Sequence, residues 1–318
     1  MFERILVPLD GSPLAECVLP HAVALSRAFD AEMTLLRVLE RSQATERAQS
    51  TDLLGWHIHK AEAESYLDSL VTRLSGMLSG VNWEIMEGRA AERITEFARD
   101  RDIDLIILSS HGRSGLSGWN ISGVVQKIIL RACMPIMIVR AYQSIKYDWD
   151  GLRYRRLMVP LDCSKRAECV LPLATKLARF HESEFLLAHV VCLPDMPRPV
   201  PLSQEEIALA EKVVRHNQKA ARQCFKQLQD RLPIPAQIRL EVGDSAVAML
   251  HDLVEQEKVD LVLLSAHGYS GGNRWPYGSV ALNFIAYGTT PLLIVQDLSE
   301  GELESTQAEM AARQHKGH

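Results

Sequence analysis

No apolar run in this chain approaches the roughly 20 residues that a membrane-spanning helix needs, so no membrane insertion is predicted. Nor is there an excess of positive charge: 35 Lys and Arg stand against 40 Asp and Glu, a formal net charge of -5. Without a basic stripe, general nucleic-acid binding is disfavoured. No two cysteines are spaced Cys-x-x-Cys. The six that occur (Cys17, Cys133, Cys163, Cys169, Cys192, Cys224) are scattered, which reads as reduced thiols and not as a disulfide framework or a zinc site. Met1-Phe2-Glu3-Arg4 runs straight into an apolar strand pattern, so no signal peptide is read there. Together these absences predict a cytoplasmic protein. A Gly-x-Ser-x-Gly nucleophile elbow is missing as well. His57 and His59 fall in a helical pattern, where alternate residues diverge, and so predict no metal pair.

What the chain does have is one unit written twice. Its 318 residues suggest two domains of ordinary size, and an apolar fraction of 47% is enough for two well-filled cores. Asp104-Leu105-Ile106-Ile107-Leu108-Ser109-Ser110-His111-Gly112 is followed by Ser122-Gly123. Asp260-Leu261-Val262-Leu263-Leu264-Ser265-Ala266-His267-Gly268 is followed by Gly278-Ser279. Ala15-Glu16-Cys17-Val18-Leu19-Pro20 recurs letter for letter as Ala167-Glu168-Cys169-Val170-Leu171-Pro172. A repeat of about 150 residues means tandem domains and not a solenoid, whose period is about 20–50. The boundaries read 1–145 and 153–298, with 141–153 as linker and 299–318 as a polar tail expected to be disordered.

Each copy alternates strand and helix. The first has strand patterns at 5–9, 33–39, 81–86, 105–108 and 136–139, and helical spacing between them, as in Ala63, Leu67, Leu70 and Leu74. Ser12 reads as an N-cap with Pro13 at the first helical position, and Pro20 and Pro172 as helix kinks. The second copy adds a Pro-rich loop, Pro194 to Pro201, and a long helix over about 204–230. The pattern predicts an α/β fold: two doubly wound domains, each a parallel sheet covered by helices on both faces. Ligands of such sheets bind beyond the carboxyl ends of the strands, where the strand order reverses. That places Asp10, Val38 and Ser109 at the edge in copy one, and Asp162, Val190 and Ser265 in copy two. An aspartate there can accept from an adenine amine or a ribose hydroxyl, or simply cap its own turn. Gly112 and Gly268 permit close backbone approach to phosphate. Gly278-Ser279 falls where a helix begins, and helix N-termini attract anions. His111 and His267 read as hydrogen-bonding the loop and holding its shape, and Cys17 and Cys169 as core.

Val7-Pro8-Leu9-Asp10-Gly11-Ser12 at the start, Ser109-Ser110-His111-Gly112-Arg113-Ser114-Gly115-Leu116 late and Pro135-Ile136-Met137-Ile138-Val139 at the close resemble the universal stress protein family. The likeness covers about 1–140 and 153–296. It implies a mainly parallel five-stranded sheet of the adenine-nucleotide alpha hydrolase-like type in each domain, with domains that pair through their last strands. Here Ile136–Val139 and Leu292–Val295 would form that seam within one chain, and two chains could pair further as a homodimer. Nucleotide-binding members of the family carry Gly, two residues, Gly, nine residues, then Gly and Ser or Thr. Copy two departs from this only at Ser265. Copy one has Ser109 in place of the first glycine and inverts the final pair to Ser122-Gly123. By resemblance the nucleotide site is therefore Pro160, Asp162, Val190, Ser265, Gly268, Gly278, Ser279 and Val280, with a weaker counterpart at Asp10, Val38, Ser109, Gly112, Arg113 and Gly123. Arg274 would substitute in copy two for Arg113. The implied ligand is ATP with Mg²⁺ on its phosphates, in a stress-response or regulatory role, with at most slow hydrolysis. Two rivals stand beside this: an interaction protein that has lost nucleotide binding, and an adenylating ligase. The latter needs a Gly-rich phosphate loop straight after the first strand, which neither Asp10-Gly11-Ser12-Pro13 nor Asp162-Cys163-Ser164-Lys165 supplies.

Overall fold

The computed structural model describes residues 2–40, 53–112, 121–141, 149–194, 203–269 and 276–297. Arg113, Arg274, the tail from Glu300 and the Pro-rich loop beyond Pro194 lie outside the described residues. The first repeat runs β1 (Arg4–Pro8), α1 (Leu19–Phe29), β2 (Glu32–Leu39), α2 (Leu53–Ser75), β3 (Val81–Glu87), α3 (Ala90–Asp100), β4 (Leu105–Ser109), α4 (Gly123–Ile129) and β5 (Ile136–Val139). The second runs β6 (Arg156–Pro160), α5 (Leu171–His181), β7 (Glu184–Cys192), α6 (Gln204–Arg231), β8 (Gln237–Gly243), α7 (Ala246–Gln256), β9 (Leu261–Ser265), α8 (Ser279–Tyr287) and β10 (Leu292–Val295). The fold is the doubly wound α/β architecture that the alternation of patterns predicts.

All ten strands join one sheet in the order β3-β2-β1-β4-β5-β10-β9-β6-β7-β8. Every pairing is parallel except β5 with β10, which run antiparallel with Met137 opposite Leu293. Side chains alternate across the sheet because successive Cβ atoms point to opposite faces. Ile5 and Val7 enter the core beneath α1 and α2, while Leu6 enters the core beneath α3 and α4. The central strands β4 and β9 are buried along their whole length. This is why they read as unbroken apolar runs and not as alternating ones. Each fully buried Leu or Ile there contributes about 1.5–3 kcal/mol.

Three local expectations are corrected. Pro20 and Pro172 do not kink a helix. A 3-10 turn over Ala15–Val18 or Ala167–Val170 comes first, and the proline then sits in the opening turn of α1 or α5, where no helical N–H is lost. Ser12 therefore does not begin an α-helix at Pro13, although its hydroxyl accepts from the Ala15 N–H at 3.2 Å. Trp149, read as linker, is core at 2% exposed, as is Tyr154 just beyond the linker at 1%. The Arg73 guanidinium lies 3.7 Å over the Trp149 ring, and Arg27 pairs with Asp150.

Two buried polar groups cross between the repeats. Arg140 is fully buried, and its Nη2 donates to the carbonyls of Phe284 (2.7 Å) and Ile285 (3.1 Å) in the last turns of α8. A cation there complements the helix dipole and satisfies orphan carbonyls. His21 Nδ1 lies 2.7 Å from the Tyr154 hydroxyl, and the His181 ring meets Tyr154 edge-on at 4.9 Å. Burial lowers both imidazoles to about 4, with Arg153 adding to the effect at His181.

Candidate functional site

The order reversal falls between β1 and β4 and between β6 and β9. The turn after β1 is built by Asp10, whose Oδ1 accepts from the Ser12 N–H at 2.9 Å. In the second repeat Asp162 Oδ1 accepts from the Ser164 N–H at 3.0 Å and from its hydroxyl at 2.6 Å. Each carboxylate also reaches across to the loop after β4 or β9. A Cβ on Gly112 would stand 2.1 Å from Asp10 Oδ2, and one on Gly268 2.2 Å from Asp162 Oδ2. The Tyr269 N–H donates to Asp162 Oδ2. The turn-capping reading of the aspartate is the one these contacts bear out. The side chain caps its turn and ties two loops together, and the glycine is demanded by that carboxylate. An ionised carboxylate has about four lone-pair sites, so the three bonds to Asp162 leave room for a ligand donor.

Ser109 and Ser265, at the first glycine position of the family pattern, are 8% and 9% exposed. Their hydroxyls turn back into the loop, donating to the carbonyl of His111 at 2.6 Å and of His267 at 2.5 Å. Sequence reading treated the serine as a deviation and missed this role. The histidines that follow are buried in both repeats but held differently. His111 Nδ1 lies 3.1 Å from Ser110 Oγ, and that hydroxyl accepts from the Ala141 N–H at 3.0 Å. His267 gives both its N–H (3.0 Å) and Nδ1 (2.8 Å) to Asp297 Oδ1, whose other oxygen lies 3.0 Å from Arg166 Nε. Ala141 and Asp297 follow β5 and β10 at the same offset. The sequence reading passed over Asp297; the signal available was an acid two residues beyond the closing strand of one copy only. Of the two cysteines read as core, Cys17 is buried, whereas Cys169 is exposed.

The helix openings separate the repeats most sharply. Both N-cap backbones are extended, with φ -73° at Ser122 and at Gly278. Ser122 Oγ accepts from the Val125 N–H at 3.3 Å, filling the first turn of α4 from within. Gly278 brings no side chain, so the first turn of α8 has no side-chain cap, and Ser279 is exposed beside it. Free N–H groups and the positive end of the dipole make such a turn receptive to an anion.

The clefts distribute differently. A cavity of about 770 Å³ opens in the first repeat, where Asp10, Val38, Ser109, Gly112, Ser122 and Gly123 share its wall. Leu36, Ala90 and Ile94 give it an apolar side, and Lys127 lies on its rim. In the second repeat a cavity of about 830 Å³ reaches Asp162 but lies toward α6, and Val190, Ser265, Gly268, Gly278, Ser279 and Val280 are not on its wall. His57 and His59 are exposed on α2. Among the described residues no group of three His, Cys, Asp or Glu side chains is placed to hold a metal ion, and no helix is long and apolar enough to cross a membrane.

Comparison with known proteins bears on the family and the fold. The model of the universal stress protein family matches residues 1–140 and again 153–296. A universal stress protein of Methanocaldococcus jannaschii is 26% identical over 142 residues, spanning 44% of this chain and 83% of that protein. Universal stress protein YxiE of Bacillus subtilis is 27% identical over 151 residues, spanning 44% of this chain and all of its own length (100%). Among solved structures, a universal stress protein from Archaeoglobus fulgidus covers 93% of this chain and 98% of its own at a TM-score of 0.66 and 14% identity. A protein of unknown function from Pseudomonas aeruginosa covers 98% of each chain at 0.64 and 12%. These two share the fold. With the family's unit matched twice, the chain belongs to the universal stress protein family as a tandem member.

Proposed function

We propose that the protein binds an adenine nucleotide as a regulatory ligand in a stress response, with the second repeat as the principal site. The observation that carries this reading is the uncapped first turn of α8 at Gly278-Ser279, beside a loop that Asp162 ties to the β6 edge. In this reading Asp162 and Val190 hold the nucleoside, with Pro160 beneath it. Gly268, Gly278, Ser279 and Val280 present backbone and hydroxyl donors to the phosphates of ATP. Ser265 acts by shaping the loop. Mg²⁺ would take its ligands from the phosphates, because the described side chains offer no cluster of three. In this reading the nucleotide serves as a signal and turns over slowly at most.

The cleft of about 770 Å³ favours a second reading, in which the first repeat takes the nucleoside in its apolar slot. Calorimetric titration of Gly278→Val and Ser122→Val with ATP separates the two. The principal-site reading expects binding to fall at least tenfold in Gly278→Val and to change little in Ser122→Val. The reverse pattern overturns it in favour of the first repeat. An absence of binding in the parent protein, with no nucleotide released on denaturation, overturns both and leaves an interaction protein.

A further inference from the structure

The second repeat's cavity of about 830 Å³ holds two free cysteines on its wall, Cys163 and Cys224. Neither belongs to the nucleotide edge, and both occupy positions where the first repeat has something else. Strand register places Cys163 opposite Gly11 and His189 opposite Arg37, since Pro8 pairs with Leu36 as Pro160 pairs with Ala188. The buried series Ala63, Leu67, Leu70 on α2 matches Ala221, Phe225, Leu228 on α6, which sets Cys224 at the position of Tyr66.

In the first repeat this space is filled. The Arg37 guanidinium lies 5.4 Å over the Tyr66 ring and would stand 2.9 Å from a Cβ on Gly11. In the second repeat His189 stands on the cavity wall and is tied back, its Nδ1 donating to the Leu161 carbonyl at 2.7 Å. The cavity stands where Arg37 and Tyr66 are packed in the other copy.

Gly11 has φ +79° and Cys163 has φ +65°. Left-handed backbone suits glycine, and a side chain there costs on the order of 1 kcal/mol. Cys163 accepts that cost without joining the fully buried core: it is half-buried and shares the cavity wall with Cys224, half-buried on the facing helix.

We propose that Cys163 and Cys224 are a redox pair that closes to an intramolecular disulfide under hydrogen peroxide and reopens with a small dithiol. One thiol loses its proton and attacks a peroxide oxygen. The O–O bond breaks, the sulfur becomes a sulfenic acid, and the departing hydroxide takes a proton to leave as water. The second thiol then attacks that sulfur, the S–S bond forms, and the sulfenic oxygen leaves as a second water. Two thiols are oxidised by two electrons and one peroxide is reduced. Burial raises Cys163 well above the usual thiol range, with Cys224, Asp162 and Glu168 adding in the same direction. Little thiolate is present at neutral pH, so the pair answers to sustained oxidant and not to traces.

The test uses the full chain, treated with excess hydrogen peroxide, alkylated without reductant, digested and mapped by mass spectrometry. The expected product is one cross-linked peptide pair joining Cys163 to Cys224, two hydrogens lighter than the separate peptides and released by dithiothreitol. Cys163→Gly, which restores the residue of the first repeat and suits the backbone, and Cys224→Ser should each abolish the cross-link. Cys163 and Cys224 both found alkylated after oxidation would overturn the proposal. Cross-links scattered equally to Cys169 or Cys192, or persistence of the same cross-link mass in either variant, would do so as well.

Discussion

The two repeats carry the same loop and helix at the same place and finish them with different chemistry. In the first, the helix start is closed by its own serine, the loop histidine rests on a neighbouring serine, and a cleft stands open. In the second, the helix start is left uncapped, the histidine is clamped by a buried Asp297–Arg166 pair, and space has opened on the side of α6. Shared elements are thus explained by the fold. The differences that bear on the candidate site lie in side chains near the carboxyl edge of the sheet. The helix at Ser122 fills its first turn with its own hydroxyl, worth a few tenths of a kcal/mol over glycine; the helix opening at Gly278 leaves that turn without a side-chain cap.

The comparison can be broken most severely at Arg140. Its counterpart after β10 is Gln296, so Arg140→Gln makes the repeats alike at that position. The Phe284 and Ile285 carbonyls would lose a charged donor inside the core, and we expect a loss of about 2–5 kcal/mol in urea unfolding.

Next in size is a pH effect that belongs to the packing of α1 against α5. His21 and His181 are held neutral, each lowered from 6.5 to about 4. The unfolded chain binds protons between those values that the folded chain refuses. Stability is therefore full above about pH 6.5 and falls as pH drops toward 4, by up to about 3 kcal/mol for each histidine. Denaturant midpoints at pH 7.5, 5.5 and 4.5 measure the decline. His181→Phe should remove about half of it, and an unchanged slope would show that this histidine does not report the interface.

Asp297→Ala copies Ala141 of the first repeat. It removes both bonds to His267 and the carboxylate beside Arg166, for an expected cost of about 1–3 kcal/mol and a loss of nucleotide affinity confined to the second repeat. The counterpart change Ala141→Asp should bring no such gain, because Leu14 stands where Arg166 would be needed.

The smallest and sharpest test is the exchange of caps. Gly278→Ser has room, since the nearest atom to the new Cβ is the Ala266 carbonyl oxygen at 3.4 Å. It should stabilise the second repeat by a few tenths of a kcal/mol and weaken ATP binding severalfold in calorimetry. Ser122→Gly should cost a few tenths of a kcal/mol and leave the first repeat more receptive to anions. If neither exchange moves affinity, the cap is not what distinguishes the sites.

Much of this architecture is legible from periodicity alone. Unbroken runs of five such as Leu105–Ser109, bounded by turn signals, read as strands buried on both faces, and the letter-for-letter recurrence at Ala15 and Ala167 announces a second copy. The prolines at positions 20 and 172 misled, because periodicity cannot tell a kinked helix from a 3-10 turn leading into a new helix. Trp149 was taken for linker because its partner, Arg73, is distant in sequence and only packing brings them together.

By itself, then, the sequence determined the doubly wound repeat, the edge at which a ligand would meet it, and the inversion of Ser122-Gly123 against Gly278-Ser279. These are local facts of composition and spacing, written in neighbouring residues. Tertiary structure alone decided that Asp10 and Asp162 press on Gly112 and Gly268, that Asp297 clamps His267, and that two cysteines 61 positions apart, Cys163 and Cys224, face one cavity. Each of these is a contact between segments far apart in the chain. Its existence depends on how the strands are ordered in the sheet and which helix covers which face.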